Sequence, residues 1–144
     1  MRTLLAILLL ALAVARAARA AEPEPQPAPA PVTITELFRR AHPGQADREI
    51  VVKRIELKPG ASAPLHVHPG MVTGYVEAGT LEFQLEGEAV KWFKAGDTFF
   101  EPPGSHHLVA RNPDAKAATV IIAFVINPKG APLSTPHQVH GTPP

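Results

Sequence analysis

Two histidines, His66 and His68, stand at i and i+2 in the stretch Gly60-Ala61-Ser62-Ala63-Pro64-Leu65-His66-Val67-His68-Pro69-Gly70. In an extended segment that spacing puts both side chains on one face, roughly 7 Å apart at the backbone, near enough for both imidazoles to reach one ion. On a helix the same pair would diverge, and the flanking prolines and glycines favour a strand pinned between turns. The pair is half a metal site. Taken alone, such a pair is more often two surface residues of an alternating strand.

A second stretch, Gly96-Asp97-Thr98-Phe99-Phe100-Glu101-Pro102-Pro103-Gly104-Ser105-His106-His107, changes that reading. Together the two stretches resemble the paired motifs of the cupin superfamily. Gly60, His66, His68 and Gly79 fall on the first motif, and Gly96, Pro102, Gly104 and His107 fall on the second. Two departures stand out. Where the family carries a glutamate ligand this chain has Val72, or Thr73 at the longer spacing, and neither replaces a charged oxygen donor. The asparagine of the second motif is replaced by Arg111, with Asn112 one residue on, a strand-end detail.

The resemblance implies that His66, His68 and His107 point into a barrel and ligate one divalent transition metal, with the fourth protein position empty. Three neutral nitrogens would leave the charge of the ion uncompensated and keep places open for water or a small anion. Such a donor set suits zinc, copper, nickel or ferrous iron better than manganese or magnesium.

The remaining candidates read more plainly. If His107 faces the ion, His106 faces outward or toward the rim, because neighbours on a strand point to opposite sides, which leaves a role as ligand or acid/base group the minor reading for it. His42, His137 and His140 lie in turn or tail contexts and read as solvated, although His137 and His140 are spaced to capture metal weakly. Tyr75 should face away from the ion by alternation from position 72. Glu101, just before a Pro-Pro-Gly turn, is placed for a general base near the barrel mouth but reads more readily as a solvated loop acid, and Phe83, Phe99, Phe100 and Trp92 read as core rather than as substrate clamps.

These residues need a frame. Residues 1–20 read as a secretory signal peptide: Arg2 gives a basic start, Leu4 to Val14 an apolar run of 11 residues, and Ala18-Arg19-Ala20 a small-residue cleavage site. The run is too short for a bilayer core that needs about 20 residues. The expected location is the periplasm or the medium. Removing the leader takes three of the 14 basic residues, leaving 11 against 13 acidic ones and a mature charge near −2. No basic patch points to nucleic acid and no basic amphipathic helix points to a membrane surface. With no cysteine, thiolate ligands and thiol nucleophiles are absent.

Residues 21–31 alternate proline with small or polar residues and should form a semi-rigid linker, and residues 128–144, again proline-rich, a mobile tail. Residues 32–127 are enough for one core. Within them Val32 to Phe38 reads as a strand and Phe38 to His42 as a turn. Glu49 to Leu57 is β-rich, Gly70 to Glu77 should continue the sheet of the histidine strand, and Thr80 to Glu86 alternates with Leu81, Phe83 and Leu85 on the buried face. Ala89 to Phe93, Thr98 to Glu101, His106 to Arg111 and a nearly all-apolar Ala117 to Ile126 complete an all-β set. Such spacing fits a sandwich or a barrel alike; the resemblance implies the cupin version, a jelly-roll β-barrel of antiparallel strands.

No nucleophile with a base, no phosphate-cradling loop and no carboxylate pair is present, so any catalysis would fall to the metal. Two functions fit: a metal-dependent oxidoreductase, similar to three-histidine cupin dioxygenases, acting on a small anion; or a noncatalytic metal- or small-ligand-binding protein of the envelope. Sugar isomerase or epimerase activity is a weaker third reading, since it needs a positioned acid/base pair. A homodimer is expected, with the Val32 to Phe38 strand pairing or exchanging at an edge.

Overall fold

The computed structural model describes residues 31–137, so the expected leader, nearly all of the linker, and residues 138–144 with His140 lie outside the described residues. Ten strands and, among the described residues, no helix make up the chain: β1 (Val32–His42), β2 (Gln45–Leu57), β3 (His66–Val67), β4 (Met71–Ala78), β5 (Thr80–Leu85), β6 (Lys91–Lys94), β7 (Thr98–Glu101), β8 (His106–Arg111), β9 (Thr119–Pro128) and β10 (Thr135–Pro136). They form two antiparallel five-stranded sheets, in the orders β1-β2-β9-β4-β7 and β10-β3-β8-β5-β6. This is the expected all-β jelly-roll arrangement.

Sequence pattern accounts for most of it. Along β5, Leu81, Phe83 and Leu85 are buried while the residues between them are half-buried, as strict alternation requires. β9 is the apolar run, and it lies between β2 and β4 where both its edges are paired. Asn112, beyond the end of β8, is fully buried. Its Nδ2 donates to the carbonyls of Leu57, Lys58 and Ala117, and its Oδ1 accepts from the Asp114 amide, tying β2 to the turn that precedes β9.

Three expectations need correction. Phe38 to His42 is strand, not turn, because β2 continues opposite it, with Phe38 paired to Val52 and His42 to Gln45; Pro43 and Gly44 make the reversal. The stretch after the histidines does not extend their strand. β3 and β4 lie in different sheets, and Pro69-Gly70 carries the chain across, pressed so closely on β9 that a Cβ at Gly70 would sit 2.2 Å from the Ile126 carbonyl oxygen. Third, the chain after Pro128 stays on the domain as far as His137. The Lys129 amide donates to the Asp47 carbonyl, Asn127 Nδ2 holds the Pro128 and Ala131 carbonyls, and β10 pairs with β3. Composition suggested a free tail; the unpaired edge of β3 gives it a partner.

Phe83 sits at the centre of the core, packed with Phe93 and Phe99 at ring separations of 5.5 and 4.9 Å. The Phe99 ring lies flat against β4 because residue 74 is glycine: a Cβ there would come within 2.0 Å of it. Phe100 and Trp92, expected in the core, are instead 53% and 55% exposed. Along β7 only every second residue can face inward, and Phe99 and Glu101 take those positions.

Candidate metal centre

His66 belongs to β3 and pairs directly with His107 of β8, while His68 follows β3 by one residue. The rings of His66 and His68 lie 4.7 Å apart, and those of His66 and His107 5.0 Å. One nitrogen from each of the three lies within 4.8 Å of the others, the only such metal-capable group among the described residues. The structure brings together the three histidines picked out in the sequence.

Their hydrogen bonds fix the protons. His66 Nδ1 donates to the Pro64 carbonyl at 2.7 Å and His68 Nδ1 to the Leu133 carbonyl at 2.6 Å. A carbonyl oxygen only accepts, so both Nδ1 atoms hold the proton and both Nε2 atoms present a lone pair. Those two Nε2 atoms face each other at 3.0 Å. Two lone pairs so placed repel unless a cation stands between them. An extra proton is a poor solution, since burial pushes the pKa of both rings below the usual histidine value, with the other histidines adding to the effect. His107 Nδ1 and Nε2 are both buried with no hydrogen-bond partner. A divalent ion fits this donor set and would satisfy atoms that are otherwise unpaired.

The carbonyl that orients His68 comes from Leu133, in the segment expected to be tail. That segment is therefore part of the centre.

Two residues missed from sequence complete the surroundings. Glu101 is only 2% exposed, and its Oε2 lies 3.2 Å from His107 Nδ1 and 3.8 Å from His68 Nε2. Burial alone would raise its pKa, but the adjacent His107 and the two other imidazoles outweigh this and hold it below the ordinary carboxylate value. The second is Lys53 on β2, 7% exposed, whose pKa burial lowers and Glu101 partly restores. Both residues line, with the three histidines, a cavity of about 330 Å³ walled by Ile55, Leu57, Leu81, Phe99 and Ile121. Alternation puts Glu101 on one face with Phe99 and Lys53 on one face with Val51, but does not by itself say which face of β7 turns inward.

Val72 is buried and lines the same cavity, so the position is inward-facing and apolar. Tyr75 faces out as expected, 42% exposed. His106 also faces away, its Nδ1 3.0 Å from a Glu86 carboxylate oxygen and its ring 4.3 Å from that of His137. His42 accepts a hydrogen bond from the Gly44 amide at an exposed turn.

Comparison with known proteins found no match among curated sequences. Among solved structures, the DMSP lyase DddQ from Ruegeria pomeroyi is 20% identical with a TM-score of 0.59, over 77% of this chain and 54% of that one. Oxalate oxidase in complex with the substrate analogue glycolate is 22% identical with a TM-score of 0.52, over 67% and 52%. A conserved protein with a double-stranded β-helix domain from Klebsiella pneumoniae is 27% identical with a TM-score of 0.54, over 74% and 85%. The chain thus spans about half the length of the lyase and the oxidase, and these two likenesses speak to fold alone. The Cupin domain family matches residues 53–126, a span that begins at Lys53 and takes in all three clustered histidines, and the chain belongs to that family within the cupin superfamily.

Proposed function

We propose that the protein is exported and holds one divalent transition metal on His66, His68 and His107, presenting it to a small molecule with an anionic group and an apolar body. The observation that carries the reading is the opposed pair of Nε2 lone pairs at 3.0 Å, each enforced by a carbonyl on the other ring nitrogen. When bound, the ion would polarise an oxygen donor of the ligand and, if redox-active, exchange an electron with it.

The chain's own residues define the rest. Lys53 offers an ammonium to the anionic group inside the cavity, where little water competes. Ile55, Leu57, Leu81 and Phe99 receive the apolar body, and the volume of about 330 Å³ admits a ligand at the small end of the usual range. The reaction class we favour is oxidoreductase, dioxygenase-like, because three of the cavity's five ionisable groups among the described residues are histidines converging on one point, with Glu101 and Lys53 beside them. Oxalate oxidase binding glycolate is an example of a small anion in this fold. The alternative is a noncatalytic binding protein with the same site. A homodimer remains part of the proposal: β1 is an edge strand of 11 residues with Ile34, Leu37 and Phe38 exposed.

The test is to purify the protein from its own export compartment, identify the metal, and offer small carboxylates with oxygen. Iron or copper with carboxylate-dependent oxygen uptake supports the oxidoreductase. Zinc with carboxylate binding and no turnover supports the binding protein. Absence of any transition metal refutes both.

A further inference from the structure

We infer that Glu101 is the fourth protein ligand, a carboxylate supplied from β7 in place of the one that position 72 of β4 lacks. The inference deepens the metal-site reading and rests on it.

Register carries the first part. Val72 and Glu101 are direct partners in the antiparallel β4/β7 ladder. Direct partners put their side chains on the same face with Cβ atoms about 4.5–5.5 Å apart, so a glutamate at 101 reaches the region that one at 72 would reach. Val72 is 2% exposed and Glu101 is 2% exposed, both lining the cavity with the histidines. An acid thus stands directly across the ladder from the apolar residue at position 72.

The second part is the state of the carboxylate itself. Glu101 Oε2 is buried and has no hydrogen-bond partner. A carboxylate oxygen buried without a hydrogen bond is costly unless a cation meets it. Among the described residues the ion pairs of Glu101 are with His68 and His107; Lys53 feels its charge but is not paired with it within 4.0 Å. The nearer neighbour of Glu101 is His107, whose Nδ1 lies 3.2 Å away: near enough to hold the carboxyl pKa down, but not aligned as a good hydrogen bond.

The third part is spacing. Donors at about 2.1 Å from one ion stand about 3.0 Å apart at right angles, about 3.4 Å at tetrahedral angles and about 4.2 Å when opposed. The 3.8 Å from Oε2 to His68 Nε2 falls within that span, as does the 3.0 Å between the His66 and His68 nitrogens; the atoms already within 4.8 Å of one another are those of the three histidines alone, so the Glu101 side chain would turn toward the ion on binding. With Glu101 bound, the site carries +1 rather than +2 and gains a hard oxygen donor. Its selectivity then extends to manganese and ferrous iron, which three histidines alone would disfavour.

The experiment has two arms. In the first, metal-stripped mature protein is titrated with Zn²⁺ and Mn²⁺ by calorimetry, as wild type, Glu101→Gln, and Val72→Glu combined with Glu101→Gln. Glu101→Gln should weaken zinc by more than about 100-fold, beyond the 10- to 100-fold typical of losing a merely orienting partner, and should weaken manganese more. The double variant should recover most of the manganese affinity. In the second arm, which needs no variant to fold, a crystal structure of the zinc-loaded wild type should place a Glu101 oxygen about 2.0–2.2 Å from the ion. If wild type binds zinc but the oxygen stays beyond about 3 Å, or Glu101→Gln binds both ions as wild type does, Glu101 is no ligand and the three-histidine site stands alone. If wild type takes up neither ion, the metal reading fails along with the inference.

Discussion

His106 and His107 are neighbours on β8, and each finds another histidine and a glutamate nearby: Glu86 and His137 outside, and Glu101, His66 and His68 inside. Composition barely distinguishes the two clusters. What differs is where the ring nitrogens are committed. Inside, backbone carbonyls of Pro64 and Leu133 take the Nδ1 protons and leave two Nε2 lone pairs converging. Outside, the His106 Nδ1 lies 3.0 Å from the Glu86 carboxylate and its ring sits tilted at 51° to that of His137, and no set of three donors there converges within ligand range. Burial separates them further, since His68 and His107 are 6% and 5% exposed while the His106 side chain is 34% exposed beside a 62% exposed Glu86. A histidine cluster becomes a receptor for a cation when second bonds aim its lone pairs and water is kept from answering them.

The comparison breaks most sharply by removing rings. His66→Ala, His68→Ala or His107→Ala should each lower zinc affinity by orders of magnitude, while His106→Ala should leave it within a few-fold; competition against a zinc chelator reads both. An equal loss from His106→Ala would mean the two faces of β8 are assigned the wrong way round.

Removing the aim without removing a ring should have the next largest effect. Ending the chain after Ala131 deletes Leu133, whose carbonyl orients His68, together with β10. Affinity should fall about 10- to 100-fold, the usual cost of losing such a partner. Unchanged affinity would show that the tail merely covers the cavity.

Lys53→Met sharpens the contrast from the side of charge. Azide or carboxylate binding to the metal-loaded protein should weaken, while the metal-free protein should gain on the order of 1 kcal/mol, because a buried ammonium is replaced by apolar volume. The gain depends on pH with a definite sign. Burial lowers the folded-state pKa of Lys53 below its ordinary 10.5, so the cost is complete below the depressed value. It disappears as pH rises through that value toward 10.5, where the folded state binds fewer protons than the unfolded one. Wild type should therefore approach Lys53→Met in stability at alkaline pH. Parallel curves of melting temperature against pH would contradict this.

The smallest effect belongs to the outer cluster. Glu86→Gln removes a partly exposed pair with His106 and should change stability by less than about 1 kcal/mol in urea unfolding, with zinc affinity unaltered. A larger loss would show that the outer pair supports the inner one through β8.

The inner cluster was legible because its histidines stand at spacings that survive in sequence: His66 and His68 two apart, and His107 three beyond the glycine that ends a turn, Gly104. Glu101 was not, for a physical reason. Thr98-Phe99-Phe100-Glu101 offers two adjacent phenylalanines, and only if Phe99 takes the inner face does Glu101 face inward too. That choice depends on Gly74 across the ladder leaving room for the Phe99 ring, which no local pattern in residues 98–101 records. Leu133 was hidden differently. Its contribution is a backbone carbonyl, which any residue type provides, and its proline-rich surroundings carry no periodicity. The strands themselves were read well where alternation is strict, as in β5, or where a turn bounds them, as in β7 and β8. Sheet membership was not, because the crossing at Pro69-Gly70 is set by contact with β9 rather than by the order of residues.

The most direct test of the central claim is elemental analysis of protein purified from its native source, with no metal added, for wild type and His107→Ala side by side. We expect one divalent transition metal per chain in the wild type and almost none in the variant. A metal-free wild type, or a variant that keeps its full complement, would contradict the account.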